Sequence, residues 1–386
     1  MNERIKEELT SIFTMQFQAQ PVLFGSPGRI NIIGEHTDYN NGFVLPAAID
    51  KAVYVAISKR EDSRVHLYAA DLKESIDLGL DEIRPVSQNW ANYILGVVAQ
   101  MQKRSSPVGG FNLAMTGDVP IGSGLSSSAA VECATAIALN TIFGLNLNNM
   151  ELAFLAQKAE HEFAGVLCGI MDQFASVFGK KDHVIRLDCR SMEYEYVPLR
   201  LDGYKIVLLN TNVSHSLASS EYNTRRGQCE AGVQMVQQRY PEVKSLRDVT
   251  LQMLDEQVRP NDPLIYKRCA YVVRENQRLL EGCEDLIQGR IDALGQKMFE
   301  THEGLSKDYE VSCPELDFLV ENVRMHPGVI GARMMGGGFG GCTINIVQND
   351  LVDTILPELA AAYEQAMGRK LSNYIVQTAN GSGPLD

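Results

Sequence analysis

The spacing of apolar residues changes within residues 111–144, and the change predicts three consecutive elements. Large apolar residues occupy every second position of Phe111–Met115, and a period of two predicts a strand with one buried face. Over Ala130–Leu139 the apolar residues recur at helical spacing, and Gly144 is placed to end the helix. The sequence GDVPIGSGLSSSAA, Gly117–Ala130, is therefore predicted to form a glycine-rich loop between a strand and a helix N-terminus.

This loop has the components of an anion site. Its glycines let the backbone come close to a ligand. The first turn of the helix carries Ser126, Ser127 and Ser128, and it offers unpaired N–H groups and the positive end of the helix dipole. The alternative is an ordinary turn whose serines cap the helix. No Lys follows the glycines as a P-loop requires, and the protein-kinase segments H-R-D and D-F-G are absent. A nucleotide at this loop would therefore be bound differently from one in a P-loop protein or a protein kinase.

The rest of the pattern predicts two halves of mixed helix and strand. The elements predicted for the first half are a helix at Asn2–Phe17, strands at Val22–Ser26, Ala52–Ser58 and Val65–Ala69, a helix at Trp90–Lys103, one from Asn148 towards Gly165 and a short one from Cys168. Those predicted for the second half are a strand at Tyr204–Leu209, helices at Glu221–Arg239, Pro263–Glu281, Asp285–Thr301 and Pro314–Met325, a strand to Met335, a loop at Gly336–Gly341, a strand at Cys342–Val347, a helix at Leu351–Met367 and a strand at Tyr374–Thr378.

The final order of helix, strand, strand, helix and strand matches most of a split βαβ, ferredoxin-like unit. Two domains are the natural expectation for 386 residues. We therefore predict an α+β protein with domains at residues 1–189 and 190–386. No flexible linker divides the halves, so we expect the domains to pack tightly with a cleft between them.

Composition and charge restrict the class of protein. The formal net charge of −13 argues against a general nucleic-acid binder. The eight cysteines include no C-x-x-C pair, which is typical of buried thiols in a reducing compartment. The sequence contains neither a signal-peptide core nor an apolar run long enough to span a membrane. We therefore expect a cytoplasmic protein that binds neither nucleic acid nor membrane.

Charged residues gather in Gly28–Asp50, where Arg29, Glu35, His36 and Asp38 fall within ten residues. An exposed loop with salt bridges is one interpretation. The flanking segments, however, have the apolar character of buried strands, so the charges are also compatible with a site near the core. A sugar suits buried carboxylates, because a hydrogen bond to a charged group contributes about 1.5–3 kcal/mol.

Three later positions also allow a structural and a functional interpretation. Asp172 stands among apolar neighbours and is either a helix cap or a functional carboxylate. Glu160 lies on a predicted helix and is either solvated or a metal ligand. The five glycines of Gly336–Gly341 are more than a turn needs, and close approach of the backbone to a ligand explains them better.

Taken together, three of these stretches resemble the three motifs of the GHMP small-molecule kinases, in the order of that family. They are GRINIIGEHTDY at Gly28–Tyr39, PIGSGLSSSAA at Pro120–Ala130 and MMGGGFGG at Met334–Gly341. The first resembles the signature of the galactokinase branch. Further matches, which extend the resemblance over essentially the whole chain, are Trp90–Tyr93, CGIMDQ at Cys168–Gln173 and HSLASSEYNTRR at His215–Arg226.

The resemblance implies a ribosomal-S5-like N-terminal domain, a ferredoxin-like C-terminal domain and a site between them. It implies ATP-dependent phosphorylation of α-D-galactose at its C1 hydroxyl, with galactose and MgATP as the small molecules bound. Arg29 and Asp172 are implied to flank that hydroxyl, with Arg29 keeping Asp172 charged so that it accepts or orients the proton. Mg²⁺ is implied to be held by Ser128 and Glu160.

The same resemblance assigns the binding residues. Those implied for the sugar are Glu35, His36, Asp38, Gly169, Asp172 and Tyr222. Those implied for ATP are Trp90 and Tyr93 near the adenine, and Gly122, Ser123, Gly124, Leu125, Ser126, Ser127 and Ser128 around the phosphates. The Gly336–Gly341 loop is implied to close against the substrates from the second domain.

Three alternatives remain at this point. One is a kinase for a related substrate such as N-acetylgalactosamine or mevalonate, although the sequence EHTDY at Glu35–Tyr39 favours galactose. Another is a sensor that binds galactose and ATP without turnover, although the intact Ser126–Ala129 favours turnover. A structural α/β protein would leave the three loops as coincidences. We expect the protein to be a monomer.

Overall fold

The structure is a computed structural model that describes residues 3–104, 108–120, 122–213 and 218–385. Its helices are α1 (Glu3–Phe17), α2 (Asn89–Lys103), α3 (Ser127–Phe143), α4 (Asn149–Ala159), α5 (Met171–Phe178), α6 (Ala218–Gln237), α7 (Leu251–Gln257), α8 (Pro263–Ile287), α9 (Ile291–Glu303), α10 (Pro314–Arg324) and α11 (Val352–Met367). Its strands are β1 (Val22–Asn31), β2 (Phe43–Val44), β3 (Pro46–Lys59), β4 (Arg64–Ala69), β5 (Glu74–Gly79), β6 (Phe111–Gly117), β7 (His183–Asp188), β8 (Tyr194–Pro198), β9 (Tyr204–Asn210), β10 (Val329–Met334), β11 (Cys342–Gln348), β12 (Ser372–Val376) and β13 (Gly383–Pro384).

The strand, loop and helix predicted around the serine-rich loop are β6, the following turn and α3. Gly144 ends α3 in the left-handed conformation, with φ of 64°, which glycine adopts at little cost. The side chain of Asn148 caps α4 by accepting a hydrogen bond from the N–H of Glu151. Local sequence therefore explains where these elements begin and end.

Several predicted boundaries are wrong. Strand β1 extends to Asn31 rather than Ser26, and β3 begins at Pro46 rather than Ala52. The helix expected at 285–301 is divided between the end of α8 and the whole of α9. Asp285 belongs to α8, where its buried carboxylate accepts hydrogen bonds from Arg290 and Lys297 beyond the break. The elements β2, β5, β7, β8, β13 and α7 were not predicted, because each is short and its run carries a weak period.

The first sheet has six strands in the order β13, β1, β3, β6, β4, β5. The alternation along β3 decides which helices cover its faces. Tyr54 and Ala56 point to the side where Leu9 and Phe13 of α1 pack. The residues between them, such as Val55, join the main core, which includes residues of α2, α3 and α4.

The second sheet is antiparallel, in the order β10, β11, β9, β12. Together with α10 and α11 it forms the predicted ferredoxin-like unit, which is confirmed. One face, with Val207 and Leu209, packs on α10 and α11. The other face, with Leu208 and Ile344, joins the core of the first half, so the two halves share one apolar core.

A third sheet, in the order β2, β7, β8, continues past residue 189, and β13 returns to the first sheet beside β1. Chain from beyond the predicted boundary thus pairs with the N-terminal half, and the division at residue 189 stays a proposal. All eight cysteines are free thiols, and six of them are buried. Within the described ranges, no helix combines the length and apolar character that crossing a membrane requires.

Candidate active site

Arg29 and Asp172 form a hydrogen-bonded pair where the first sheet meets α5. Arg29 Nε donates to Asp172 Oδ1 at 2.7 Å, and Ser126 Oγ donates to Asp172 Oδ2 at 2.5 Å. Arg29 also donates to the backbone oxygen of Gly124. Both carboxylate oxygens are therefore held by side chains, and the alternative that Asp172 serves as a helix cap is not supported by its contacts.

The charge of Arg29 is secured by its surroundings. Burial alone lowers its pKa, but the carboxylates of Asp172 and Glu35 outweigh that effect and raise it. The guanidinium is almost wholly buried, and Arg29 lies near the C-terminal end of β1. It therefore presents a fixed positive charge to Asp172.

The predicted sugar-binding residues line one cavity of about 200 Å³ beside this pair. They come from the loop after β1, the segment before α5, α5 itself and α6. The lining includes all of those implied by the resemblance, namely Glu35, His36, Asp38, Gly169, Asp172 and Tyr222. The structure thus brings together residues that are up to 187 positions apart, from Glu35 to Tyr222.

Gly169 is a steric requirement of this cavity. A Cβ atom at that position would lie 1.9 Å from Asp38 Oδ2, well inside van der Waals contact. The absence of a side chain therefore lets the carboxylate of Asp38 occupy its place at the cavity wall.

Burial shifts the pKa of Asp38 and of His36, two of the groups that line the cavity. It raises the pKa of Asp38 to about 7, and the negative charge of Asp172 adds to that rise. Burial lowers the pKa of His36 to about 3, so this imidazole is neutral near pH 7. The interpretation of Gly28–Asp50 as an exposed loop with salt bridges is wrong, because Arg29, Glu35, His36 and Asp38 are all buried.

Arg333 is a contributor that the sequence analysis missed. This wholly buried residue of β10 donates to Glu35 Oε2 at 2.6 Å and to the backbone oxygen of Ile32 at 2.6 Å. The N–H of Gly336 donates to Glu35 Oε1 at 3.1 Å. Glu35 is therefore a link between the two halves as well as part of the cavity wall. The signal that could have indicated this residue is a single arginine in the otherwise apolar segment GARMM.

Two glycine loops meet above the pair of Arg29 and Asp172. Gly124, with φ of 78°, lies so close to the second loop that a Cβ on Gly336 would be 3.2 Å from its backbone oxygen. A Cβ on Gly338 would be 2.1 Å from the backbone oxygen of Val311. Close backbone packing thus accounts for part of the glycine content of Gly336–Gly341.

The predicted phosphate loop has hydroxyls with different partners. Ser123 is fully buried and donates to the backbone oxygen of Pro120 at 2.6 Å. Ser126 has a φ of 59°, precedes α3 and bonds Asp172 rather than capping the helix. The alternative of ordinary capping serines is therefore wrong for Ser126. The predicted phosphate-binding residues lie in the loop before α3 and in its first turn. They are Gly122, Ser123, Gly124, Leu125, Ser126, Ser127 and Ser128.

A second cavity, of about 460 Å³, lies at the N-terminus of α3 and is walled mainly by apolar residues. Trp90 and Tyr93 of α2 line it together with Ser127 and Ser128. The indole Nε1 of Trp90 donates to a carboxylate oxygen of Glu74 at 2.7 Å. Burial, with the charge of Glu160, raises the pKa of Tyr93 to about 12. The apolar walls and the two aromatic rings suit a nucleobase.

Ser128 and Glu160 meet where the two cavities adjoin. Ser128 Oγ donates to Glu160 Oε1 at 3.0 Å, and Gln173 Nε2 donates to Glu160 Oε2 at 2.6 Å and to Glu132 Oε2 at 3.1 Å. Burial and the charge of Asp172 raise the pKa of Glu160 to about 7. Glu160 is therefore not the solvated helix residue that was one alternative. Gln173 and Glu132 were missed, since neither stood in a predicted metal pattern.

Ser128 and Glu160 offer the oxygen ligands that Mg²⁺ prefers, but these two side chains alone do not complete its coordination. Hydroxyl and carboxylate oxygens are its donors, and Mg²⁺ is commonly held by one or two such groups together with phosphate oxygens and water. In the described part of the chain no group of three or more His, Cys, Asp or Glu side chains is arranged for a metal. Ser128 and Glu160 therefore fit a cation that arrives with a phosphate ligand.

Part of the predicted motif at His215–Arg226 lies outside the described residues, including His215 itself. The remainder begins α6. Its Tyr222 lines the sugar cavity, and Arg226 donates to the backbone oxygen of Leu167 at 3.0 Å.

The chain is similar to known proteins over nearly its whole length. Family models described as GHMP kinases N terminal domain, GHMP kinases C terminal and Galactokinase galactose-binding signature match residues 92–180, 283–365 and 11–59. A galactokinase from Roseiflexus sp. (strain RS-1) is 42% identical over 377 residues, 97% of this chain and 96% of the relative. A galactokinase from Thermotoga maritima is 43% identical over 356 residues, 92% of this chain and 98% of the relative.

Solved structures agree. The crystal structure of Lactococcus lactis galactokinase complexed with galactose matches with a TM-score of 0.95 and 36% identity, over 99% of this chain and 100% of that one. Methanococcus jannaschii mevalonate kinase shares the fold, with a TM-score of 0.64 and 18% identity over 94% of this chain and 100% of that one. The resemblance seen in the three motifs is confirmed.

Proposed function

The chain belongs to the galactokinase branch of the GHMP kinases, and we propose that it transfers the terminal phosphoryl group of ATP to the C1 hydroxyl of α-D-galactose. The products are galactose 1-phosphate and ADP. The observation that carries the proposal is the pair of Arg29 and Asp172, which lies between the polar cavity and the glycine loop of α3. A phosphoryl acceptor and a phosphoryl donor would meet at such a pair.

The proposed mechanism assigns the proton to Asp172. Its Oδ1 is held by Arg29 and its Oδ2 by Ser126, so the carboxylate is oriented before substrate arrives. It accepts the C1 proton, or orients the hydroxyl, as the sugar oxygen attacks the γ-phosphorus. Arg29, whose charge is secured by Asp172 and Glu35, remains a cation beside the developing negative charge.

Substrate positioning is divided between the two cavities. We assign the sugar hydroxyls to the polar cavity, with Glu35, His36, Asp38, Gly169 and Tyr222 as its binding residues. Trp90 and Tyr93 would contact the adenine, and the loop from Gly122 to Ser128 would surround the phosphates through its backbone N–H groups. Alignment of the two substrates is most of what phosphoryl transfer requires.

Ser128 and Glu160 would hold Mg²⁺ in this proposal. The ion supplies charge neutralisation of the phosphates when it is bound. Gln173 and Ser128 already hold the Glu160 carboxylate at the junction of the two cavities. We further propose that the protein is cytoplasmic and monomeric, and that its partners are galactose and MgATP rather than nucleic acid or membrane.

ADP release in the presence of MgATP and different acceptors tests the proposed function. We expect rapid release with galactose, and slow release with N-acetylgalactosamine, mevalonate and other sugars. Rapid release with another acceptor and little with galactose would identify a different kinase. Binding of galactose and ATP with no ADP release would indicate the sensor instead.

A further inference from the structure

A row of hydrogen-bonded side chains runs from the sugar cavity into the second half of the protein. His36 Nδ1 and Tyr39 Oη are 2.8 Å apart, Tyr39 Oη and Tyr309 Oη are 2.8 Å apart, and Tyr309 Oη and Cys229 Sγ are 3.2 Å apart. We call these four residues, His36, Tyr39, Tyr309 and Cys229, the hydroxyl row. It joins the loop after β1 to α6 and to the segment before α10.

The far end of the row is isolated from solvent and is held in place. Tyr309 and Cys229 are fully buried, and Arg225 Nε donates to the backbone oxygen of Tyr309 at 2.8 Å. The ring of Tyr271 packs on that of Tyr309 at 4.9 Å between centroids. Water is therefore excluded from this end, and the Tyr309 hydroxyl depends on its neighbours for hydrogen bonds.

At the near end, the second nitrogen of His36 has no partner. His36 lines the sugar cavity and is 4% exposed, and its Nε2 is buried without a hydrogen bond. A neutral imidazole has one N–H donor and one acceptor nitrogen, and the partner of one nitrogen decides the role of the other. The bond between His36 and Tyr39 therefore decides what Nε2 presents to the cavity.

We propose that Tyr39 and Tyr309 are positioning residues that fix the tautomer of His36, so that its Nε2–H points into the cavity and donates to a sugar hydroxyl. In this arrangement the Cys229 thiol donates to Tyr309, Tyr309 donates to Tyr39, and Tyr39 donates to His36 Nδ1. Each hydroxyl donates once and accepts once. The proposal rests on the proposed function for the identity of the ligand, but the tautomer itself is a property of the free protein.

The direction of the row follows from the acceptors at its two ends. The Cys229 sulfur at the far end is a weak acceptor, whereas the unprotonated nitrogen of a neutral imidazole accepts a full hydrogen bond. Burial keeps the imidazole neutral, because it lowers the pKa of His36 to about 3. Hydroxyl protons directed towards His36 Nδ1 therefore occupy the stronger acceptor, and they leave the ring proton on Nε2.

The first experiment measures the tautomer without substrate. In the ¹⁵N-labelled full chain, long-range ¹H–¹⁵N correlation spectra assigned with His36→Gln should show a protonated Nε2 and an unprotonated Nδ1. Tyr39→Phe should give a mixture of both tautomers, because Nδ1 loses its donor. Tyr309→Phe should give a smaller change in the same direction. A protonated Nδ1 in the parent protein, or parent spectra in both variants, would overturn the proposal.

The second experiment measures galactose recognition. Leaving a buried nitrogen without a partner costs about 1–3 kcal/mol, so Tyr39→Phe should raise the KM for galactose about 5- to 150-fold. The KM for ATP should stay at its parent value. Tyr363→Phe is the matched control, since it removes another fully buried tyrosine hydroxyl, which donates to the backbone oxygen of Thr211 at 2.8 Å. It should leave the KM for galactose unchanged.

A panel of deoxygalactoses then identifies the hydroxyl that Nε2 contacts. One deoxy sugar should be a poor substrate for the parent, and Tyr39→Phe should lose most of that discrimination. A raised KM in Tyr39→Phe together with undiminished discrimination against every deoxy sugar would contradict the proposal and indicate a general packing defect. If the parent does not phosphorylate galactose at all, the proposed function fails, and the spectra still decide the tautomer.

Discussion

The cavity proposed for the sugar, called the sugar cavity, and the cavity proposed for the nucleotide, called the nucleotide cavity, meet at the contact between Ser128 and Glu160. They are built in different ways. The sugar cavity is lined by charged and polar side chains that already have bonded partners, as Asp172 has in Arg29 and Glu35 has in Arg333. The nucleotide cavity is walled mainly by apolar side chains, and its lining residues all lie between Val53 and Val131.

The difference follows from the ligands proposed for the two cavities. A sugar presents hydroxyls in fixed directions, so its site needs polar groups held in advance by partners drawn from both halves of the chain. Such a site rejects a ligand that leaves a buried polar group unpaired. A nucleobase presents a flat face, which apolar walls can bury without fixed partners. We therefore expect discrimination between ligands to be strict in the first cavity and weaker in the second.

The largest effect should come from Asp172→Asn. This change keeps the volume but removes the charge that accepts the C1 proton, so kcat should fall about 10²- to 10⁴-fold. The thermal melt and the affinity for ATP should be close to those of the parent. A folded variant with parent kcat would remove Asp172 from the mechanism, and a collapsed melt would show that its bonds to Arg29 and Ser126 are structural.

Asp38→Asn tests the cost of building the polar cavity. The pKa of Asp38 is raised from 3.8 to about 7. Between these pH values the folded protein holds a proton that the unfolded chain has lost. The free energy of unfolding therefore falls as the pH rises towards 7. Above pH 7 the buried charge costs at most about 4 kcal/mol. Asp38→Asn should therefore raise the free energy of unfolding more at pH 8 than at pH 4, as measured by denaturant titration.

The exposed Asp353→Asn is the control for this prediction, and it should show no such pH dependence. An equal effect of Asp38→Asn at both pH values would mean that Asp38 ionises normally in the folded protein.

Glu160→Ala tests the junction of the two cavities. Loss of an oxygen ligand should raise the Mg²⁺ concentration needed for half-maximal ADP release by about 10- to 100-fold, the range seen when even indirect metal contacts are removed. The exposed Glu8→Ala should leave that titration unchanged. An unaltered titration in Glu160→Ala would move the proposed Mg²⁺ site elsewhere.

Gly169→Ala should affect the sugar cavity alone. The new methyl group meets Asp38 Oδ2, and overpacking of this kind costs about 1–3 kcal/mol, so the KM for galactose should rise about 5- to 150-fold. The KM for ATP should not change. Gly227→Ala places a methyl in open space on α6 and should be neutral. An equal rise in both KM values would show that the cavities are not independent.

The smallest effect should come from Trp90→Phe. The change keeps an aromatic wall and removes the N–H that bonds Glu74. A hydrogen bond of this kind contributes about 1 kcal/mol or less at an exposed position, so the KM for ATP should rise about 2- to 5-fold. Galactose recognition should be unaltered. A larger loss than that of Gly169→Ala would contradict the weaker discrimination expected of the nucleotide cavity.

The sequence alone determined the local elements and the identity of the three motif loops. The period of two in Phe111–Met115 and the helical spacing that follows are properties of neighbouring residues, so strand, loop and helix could be predicted from them. Arg29 and Asp172 were named as a pair through the resemblance, because each stands inside a recognisable motif. Elements with short runs, such as β5 and α7, could not be predicted, since few residues carry their period.

Only the tertiary structure decided which distant side chains meet. Arg333 reaches Glu35 across 298 positions, and Tyr309 reaches Tyr39 across 270. Gln173 joins Glu160 to Glu132 because α5 packs against α3 and α4. Such contacts depend on how two sheets and their helices pack around one shared core, and no periodicity within a segment encodes that packing. The burial that shifts the pKa of Asp38 and His36 has the same origin, because desolvation is a property of the assembled fold.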